Sequence, residues 1–144
     1  MKTENWKLRA ENEGGETGDS DTRGRLSVDF RNRGKRYASQ IIKLFVDLPK
    51  NSEAVRVCGK QLLRSGTSVA AHLREASRAR SNDEFVSKIG GAIQEADETV
   101  LWLEPLREDC GISGDITEPL ERESSELIAI LITMIKRTKA NLQK

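Results

Sequence analysis

From Val28 onward, apolar residues return at every third or fourth position, in four segments of helical length separated by short breaks. In the first segment Phe30, Tyr37, Ile41, Leu44, Phe45 and Leu48 mark one face, and Pro49 stops the run, because the residue before a proline is steered out of the helical region. The second follows the N-cap candidates Asn51 and Ser52 and carries Val55, Cys58, Leu62, Val69, Leu73 and Ala76 on one side. The third opens at "SNDEF", where Ser81 and Glu84 stand in capping-box order, and its stripe is Phe85, Ile89, Ala92, Ala96, Leu103 and Leu106. Gly111 and Gly114 punctuate a loop, and a fourth helix is expected from about Ile116 to Ala140, with Pro119 in its first turn. Helices of this size are about 30 to 40 Å long at 1.5 Å per residue. Their short connections make sequential neighbours antiparallel. The expected fold is therefore an all-α, up-down-up-down four-helix bundle, and no strand-like alternation or internal repeat competes with it.

With 144 residues, the chain supports one domain with a real core. Charged residues make up 33% of it and aromatics 4%, a balance that suits exposed helical faces better than sheets. Residues 1–25 carry Gly14, Gly15 and Gly18 among acids and hydroxyls, and read as a polar extension, with Trp6 and Leu8 in "NWKLRA" its one apolar stretch. Residues 26–144 then form the bundle domain. That polar start is not a signal peptide or membrane anchor, and the longest apolar run, "LIAILITMI" at Leu127 to Ile135, falls far short of the ~20 residues that span a bilayer. A cytoplasmic location is expected, with Cys58 and Cys110 as free structural thiols.

One stretch strains the helical reading. "LLRSGTSVAAHLREA" places Gly66 between Ser65, Thr67 and Ser68 in mid-helix, where the glycine alone costs on the order of 1 kcal/mol relative to alanine. Packing must offset that cost. Small side chains let backbones approach, so this strip is expected to face the third helix at Gly90, Gly91, Ala92 and Ala96. The hydroxyls would bond to carbonyls one turn earlier or to polar groups across the contact. Lys88, Glu95 and Glu98 are expected to form a buried hydrogen-bond network there, structural rather than ligand-binding. A second anomaly is that "LIAILITMI" is apolar nearly all the way round. A second copy of the chain would cover its back, unless this helix is central to an asymmetric monomer.

The residues offer little catalytic chemistry. His72 is the only histidine, neither cysteine has a histidine at a predictable distance, and "EADE" supplies Glu95 and Glu98 without the histidines that a di-iron bundle requires. "GKQ" at Gly59 lacks the rest of a phosphate-binding loop. No enzyme activity, metal or cofactor is expected. Charge is more telling, despite a net of +1. Arg23, Arg25, Arg31, Arg33, Lys35 and Arg36 face the single acid Asp29; Arg56, Lys60 and Arg64 follow at steps of four, then Arg74, Arg78 and Arg80. From Asp83 to Glu126 the sign reverses, with thirteen acids against Lys88, Arg107 and Arg122. Basic stripes of this kind track phosphates, or meet the acidic third helix of a neighbouring subunit, or simply sit in water. The leading expectation is a non-enzymatic bundle that binds structured RNA, with Arg31, Arg33, Lys35, Arg36, Arg56, Lys60 and Arg64 on phosphates.

"LLRSGTSVAAHLREA", "SNDEFVSKIGGAIQEADETVLWLEPL" and "ELIAILITMIKRTK" together resemble the bacterial four-helix-bundle proteins encoded within intervening sequences of 23S ribosomal RNA genes, over about residues 28 to 140. The matching positions include Arg64, Ser65, Gly66, Thr67, Ser68, Ala70, Ala71, Glu75 and Ala76, then Phe85, Lys88, Glu95, Ala96, Glu98, Thr99, Trp102 and Leu103. That family is similar in fold to the accessory variability determinant proteins of diversity-generating retroelements, pentameric barrels that bind nucleic acid and a reverse transcriptase. The resemblance implies a ring-shaped homopentamer, with Ser65, Gly66, Thr67, Ser68, Lys88, Glu95, Glu98 and Trp102 in its structural core. It also implies nucleic acid or a protein such as a reverse transcriptase as partner. The chain departs from the family's pattern in having His72 where asparagine is usual, and in its longer N-terminal extension.

Overall fold

The structure, a computed structural model, describes residues 25–142. They form four antiparallel helices: α1 (Val28–Asp47), α2 (Glu53–Ser77), α3 (Asn82–Glu108) and α4 (Gly114–Leu142). No strand occurs among the described residues. Serine side chains start three of the helices, where Ser27, Ser52 and Ser81 accept from the backbone N–H groups of Phe30, Val55 and Glu84. At its far end α1 stops on Leu48, whose extended backbone precedes Pro49. Gly111, at φ 76°, is the residue with positive φ among those described, and it turns the chain from α3 towards α4. The last helix begins at Gly114, sooner than its apolar pattern suggests, because Ser113 caps it through bonds from the Asp115, Ile116 and Thr117 amides. Pro119 consequently lies beyond the first turn; the carbonyl it leaves without a helical donor belongs to the exposed Asp115, within reach of water.

The four stripes converge on one core. Phe30, Tyr37, Ile41, Leu62, Val69, Leu73, Ile89, Ala96, Leu103, Leu106, Leu127 and Leu131 are all fully or almost fully removed from solvent. Packing between successive helices is extensive, most of all between α2 and α3, whereas α1 and α4 touch only sparsely. Of the apolar run on α4, Leu127 and Leu131 are buried, and Ile128, Ile130, Met134 and Ile135 are half-buried against the core. Ile132, 39% exposed, is the large side chain of that run left facing outward.

The partner of Gly66 is not the one its neighbours suggest. A Cβ at position 66 would lie 2.7 Å from Cγ2 and 2.8 Å from Cγ1 of Ile41, so the glycine receives the first helix and not the third. Gly90, expected opposite it, has open space around it, and Gly91 faces the His72 ring. The correction reveals a repeat. A Cβ on Gly34 would meet Cδ1 of Leu73 at 2.7 Å, and one on Gly59 would meet Cδ1 of Leu48 at 2.9 Å. The contacts Gly34–Leu73, Ile41–Gly66 and Leu48–Gly59 fall seven residues apart on each helix and run in opposite directions. Seven residues are two turns, so the glycine holes and apolar knobs share one seam and set the α1–α2 register.

The hydroxyls around Gly66 divide their work. Thr67 and Ser68 bond back to the carbonyls of Leu63 and Arg64, each at 2.7 Å. Ser65 is fully buried and meets the Thr99 hydroxyl of α3 at 3.0 Å. The Tyr37 phenol of α1 lies 2.5 Å from the Ser124 hydroxyl of α4. Since Ser124 donates to the Leu120 carbonyl, the phenol is the donor in that pair. Two hydroxyl pairs therefore cross the core, Ser65–Thr99 between α2 and α3 and Tyr37–Ser124 between α1 and α4, where an unpaired polar group would cost about 1–3 kcal/mol.

Two outcomes follow. Gly66→Ala should lower the urea-unfolding free energy by about 1–3 kcal/mol despite alanine's better helix propensity, because Ile41 is β-branched and cannot swing aside. Gly90→Ala should raise it by up to about 1 kcal/mol. The second concerns pH. Burial pushes the Tyr37 hydroxyl from 10.0 up to about 12, against the opposing hydrogen bond with Ser124. The folded state thus keeps a proton that the unfolded chain releases; stability is whole below about pH 10 and falls as the pH rises towards 12. Tyr37→Phe should flatten this alkaline decline in urea midpoints measured across the same range.

Candidate nucleic-acid interface

Three kinds of surroundings divide the seven cations expected on phosphates. Arg33 lies on the buried side of α1 between Phe30 and Tyr37, with only 4% of its side chain exposed. Its Nε and Nη2 donate to the two carboxylate oxygens of Glu123 at 2.7 and 2.6 Å, and Nη2 also reaches Glu126 at 3.0 Å. Arg33 is a clasp between α1 and α4, enclosed by protein and turned away from any nucleic acid. Arg64 is half exposed but bridges Glu95, at 3.2 Å, and Glu98 on α3. Arg56 donates to the Lys50 carbonyl at 2.8 Å and pairs with Glu53, closing the turn between α1 and α2.

The remaining four stay at the surface in different places. Arg31 and Lys35 look towards α2, Arg36 lines the side of α1 nearer α4, and Lys60 is exposed on α2. The expected Lys88–Glu95–Glu98 set is not one buried network. Lys88 donates to Glu75 on α2 at 3.0 Å, and this bond holds the Glu75 carboxyl below its ordinary range. Glu95 and Glu98 serve Arg64 instead, and their side chains keep 18% and 35% of their exposure. Trp102 is half-buried against the core. Farther along, Arg107 clasps Glu121 with two bonds of 3.0 and 3.1 Å, which lowers the Glu121 carboxyl and ties α3 to α4.

The cations that do gather were only half visible in the pattern. A groove of about 300 Å³ between α1 and α2 is walled by Arg31, Lys35, Arg74 and Arg78, with Asn32 beside them and Val28, Ala70, Leu73 and Ser77 completing it. Among the described residues no acid lines it, and neither Lys35, Arg74 nor Arg78 has an ion-pair partner. The glycine seam creates this arrangement. With Leu73 seated over Gly34, the i, i+4 pair Arg31/Lys35 comes alongside the i, i+4 pair Arg74/Arg78. Antiparallel pairing is the signal that finds Arg74 and Arg78: the end of α2 must lie beside the start of α1, whereas Arg56 and Lys60 lie at the opposite end.

A larger groove of about 1010 Å³ separates α1 from α4, with Leu44, Leu48, Ile112 and Leu120 among its lining residues. Its charges are mixed, since Arg36 and Lys43 share it with Asp47 and Glu123. The half-buried Cys58 and Cys110 are free thiols, and burial raises the Cys58 thiol. Among the described residues no cluster of His, Cys, Asp and Glu is placed to hold a metal ion, and no helix is long and apolar enough to cross a membrane.

The architecture defines an all-α four-helix bundle with one uniformly basic groove. A family model described as 23S rRNA-intervening sequence protein matches residues 27–133, and the chain belongs to that family. It is also similar to the crystal structure of a protein of unknown function from the S23 ribosomal protein family from Bacteroides thetaiotaomicron. The two are 37% identical with a TM-score of 0.68, over 74% of this chain and 94% of that one. No curated protein matches the chain.

The buried clasp has a measurable weight. Arg33→Ala should destabilise the protein by about 2–4 kcal/mol, since it leaves Glu123 partly enclosed without its cation. A double-mutant cycle with Glu123→Gln should return a clear coupling energy in urea denaturation.

Proposed function

We propose that this protein is a non-enzymatic module that binds structured RNA through the groove between α1 and α2. The observation that carries the reading is the convergence of Arg31, Lys35, Arg74 and Arg78 on one concavity that, among the described residues, no acid lines. Bringing like charges together opposes folding, and a polyanion that enters the groove relieves that repulsion. The groove offers charge and amide donors, and its one hydroxyl, Ser77, donates to the Arg74 carbonyl, so it suits recognition of the phosphate backbone and shape rather than of base sequence. Membership of a family described by 23S rRNA intervening sequences is consistent with RNA as the polyanion. Arg36, on the α4 side of α1, and Lys60, at the far end of the α1–α2 pair, lie outside this groove.

The assembly we propose is a homo-oligomer, with a ring-shaped pentamer as its form. Ile132, Val46 and Ile42 are large apolar side chains left exposed on the helices, and a neighbouring copy would cover them. A second reading is an adaptor ring that recruits a protein such as a reverse transcriptase; the wide α1–α4 groove with its apolar floor favours it.

The test is a titration of fluorescent hairpin RNA at about 50 and 200 mM salt, because binding that neutralises several phosphates weakens steeply over that range. The wild-type chain should bind at micromolar concentration or tighter at the lower salt. Lys35→Glu with Arg74→Glu should lose at least about tenfold and reduce the salt slope. Unchanged affinity in that folded variant would overturn the groove assignment.

A further inference from the structure

The chain enters the bundle at the mouth of the basic groove. The Arg25 amide donates to the Ser77 carbonyl at 2.9 Å, and its Nε donates to the Ala79 carbonyl at 3.0 Å. Arg25 also pairs with Asn82 at the start of α3. Ser77 and Arg78 are themselves part of the groove wall. Residue 25 is thus pinned to the same turn of α2 that presents Arg78. The sequence just before it, "ENEGGETGDSD" at residues 11–21, holds Glu11, Glu13, Glu16, Asp19 and Asp21 with no lysine or arginine.

We propose that this acidic segment of the same chain occupies the α1–α2 groove and competes there with nucleic acid. Reach permits it. Asp21 is four residues from the pinned Arg25, and at about 3.4 Å per residue it can travel roughly 14 Å, more than the distance of about 6 Å along α2 between Arg78 and Arg74. Asp19 and Glu16 extend the same path past Lys35. Charge complementarity decides the occupant: four cations line the groove, and the charged residues of the segment 11–21 are all acids, with Arg23 the one cation between it and the pinned Arg25. Its three glycines, Gly14, Gly15 and Gly18, let the backbone follow a shallow channel. Tethering gives the acids an effective concentration in the millimolar range, so even weak contacts compete with a free polyanion. RNA must displace the segment, so the apparent affinity of every polyanion for the groove falls by the same factor.

The nucleic-acid half of this proposal rests on the function proposed above; the seating of the segment does not, and the experiment separates them. In the absence of RNA, zero-length carbodiimide coupling followed by peptide mass spectrometry should join a carboxylate of residues 11–21 to Lys35. Coupling to exposed Lys43 or Lys60 in preference to Lys35 would overturn the seating, as would a link formed only between differently isotope-labelled chains. Next, the variant Glu11→Gln, Glu13→Gln, Glu16→Gln, Asp19→Asn, Asp21→Asn keeps the chain length and removes the charge. It should bind hairpin RNA about tenfold more tightly than wild type at low salt, a gain that disappears when Lys35→Glu and Arg74→Glu are added. Equal affinities for wild type and neutralised variant would overturn the competition. Failure of both chains to bind RNA, with the Lys35 link present, would remove the RNA reading and leave the self-docked segment standing.

Discussion

The seam between α1 and α2 is the contact on which the rest of the molecule depends. Three glycines, two donated by α2 and one by α1, accept Ile41, Leu48 and Leu73 at intervals of two helical turns. Each is a site where a Cβ would collide with the facing side chain, so the helices approach more closely than larger residues would allow. Because the glycine holes lie on both helices, sliding by two turns would set Ile41 against Leu73. That fixed register carries Arg31 and Lys35 to the level of Arg74 and Arg78, and the basic groove results from it.

A polar spine complements this apolar seam. Ser65 pairs with Thr99 between α2 and α3 and Tyr37 with Ser124 between α1 and α4, and Arg33 clasps Glu123 and Glu126 where α1 and α4 otherwise barely meet. Apolar packing is tolerant of small shifts, whereas a buried hydroxyl or guanidinium must find its partner within hydrogen-bonding distance. These groups therefore specify the relative placement of helices that share little apolar contact. The consequence is an open α1–α4 side held at defined width by an ion pair.

Segregation of charge along the chain is resolved in space by partial cancellation. Acids of α3 and α4 draw in Arg33, Arg64 and Arg107, while Glu75 on α2 takes Lys88. Among the described residues Lys35, Arg74 and Arg78 keep no ion-pair partner, at the end where α1 begins and α2 finishes. A net charge of +1 thus conceals a locally strong positive field, which is the quantity a polyanion responds to.

Local chemistry was legible along the chain. Ser81 ahead of Glu84, Ser52 ahead of Val55 and Pro49 after Leu48 mark helix ends, because caps and proline act within a few residues. The apolar stripes identify Phe30, Leu62, Ile89 and Leu103 as core, because burial of one helical face imposes the period. These features determined a four-helix bundle by themselves. Across helices the pattern is silent: Gly66 between hydroxyls announces close packing but not Ile41 as its partner, and Arg33 follows the same basic run as Lys35 although one is enclosed and the other exposed. Residues two places apart on a helix point about 200° apart, so neighbours in sequence belong to different surfaces. Only the tertiary structure decided which cations meet acids and which meet one another, because that depends on the register of side chains on separate helices, and the register is set by the glycine seam.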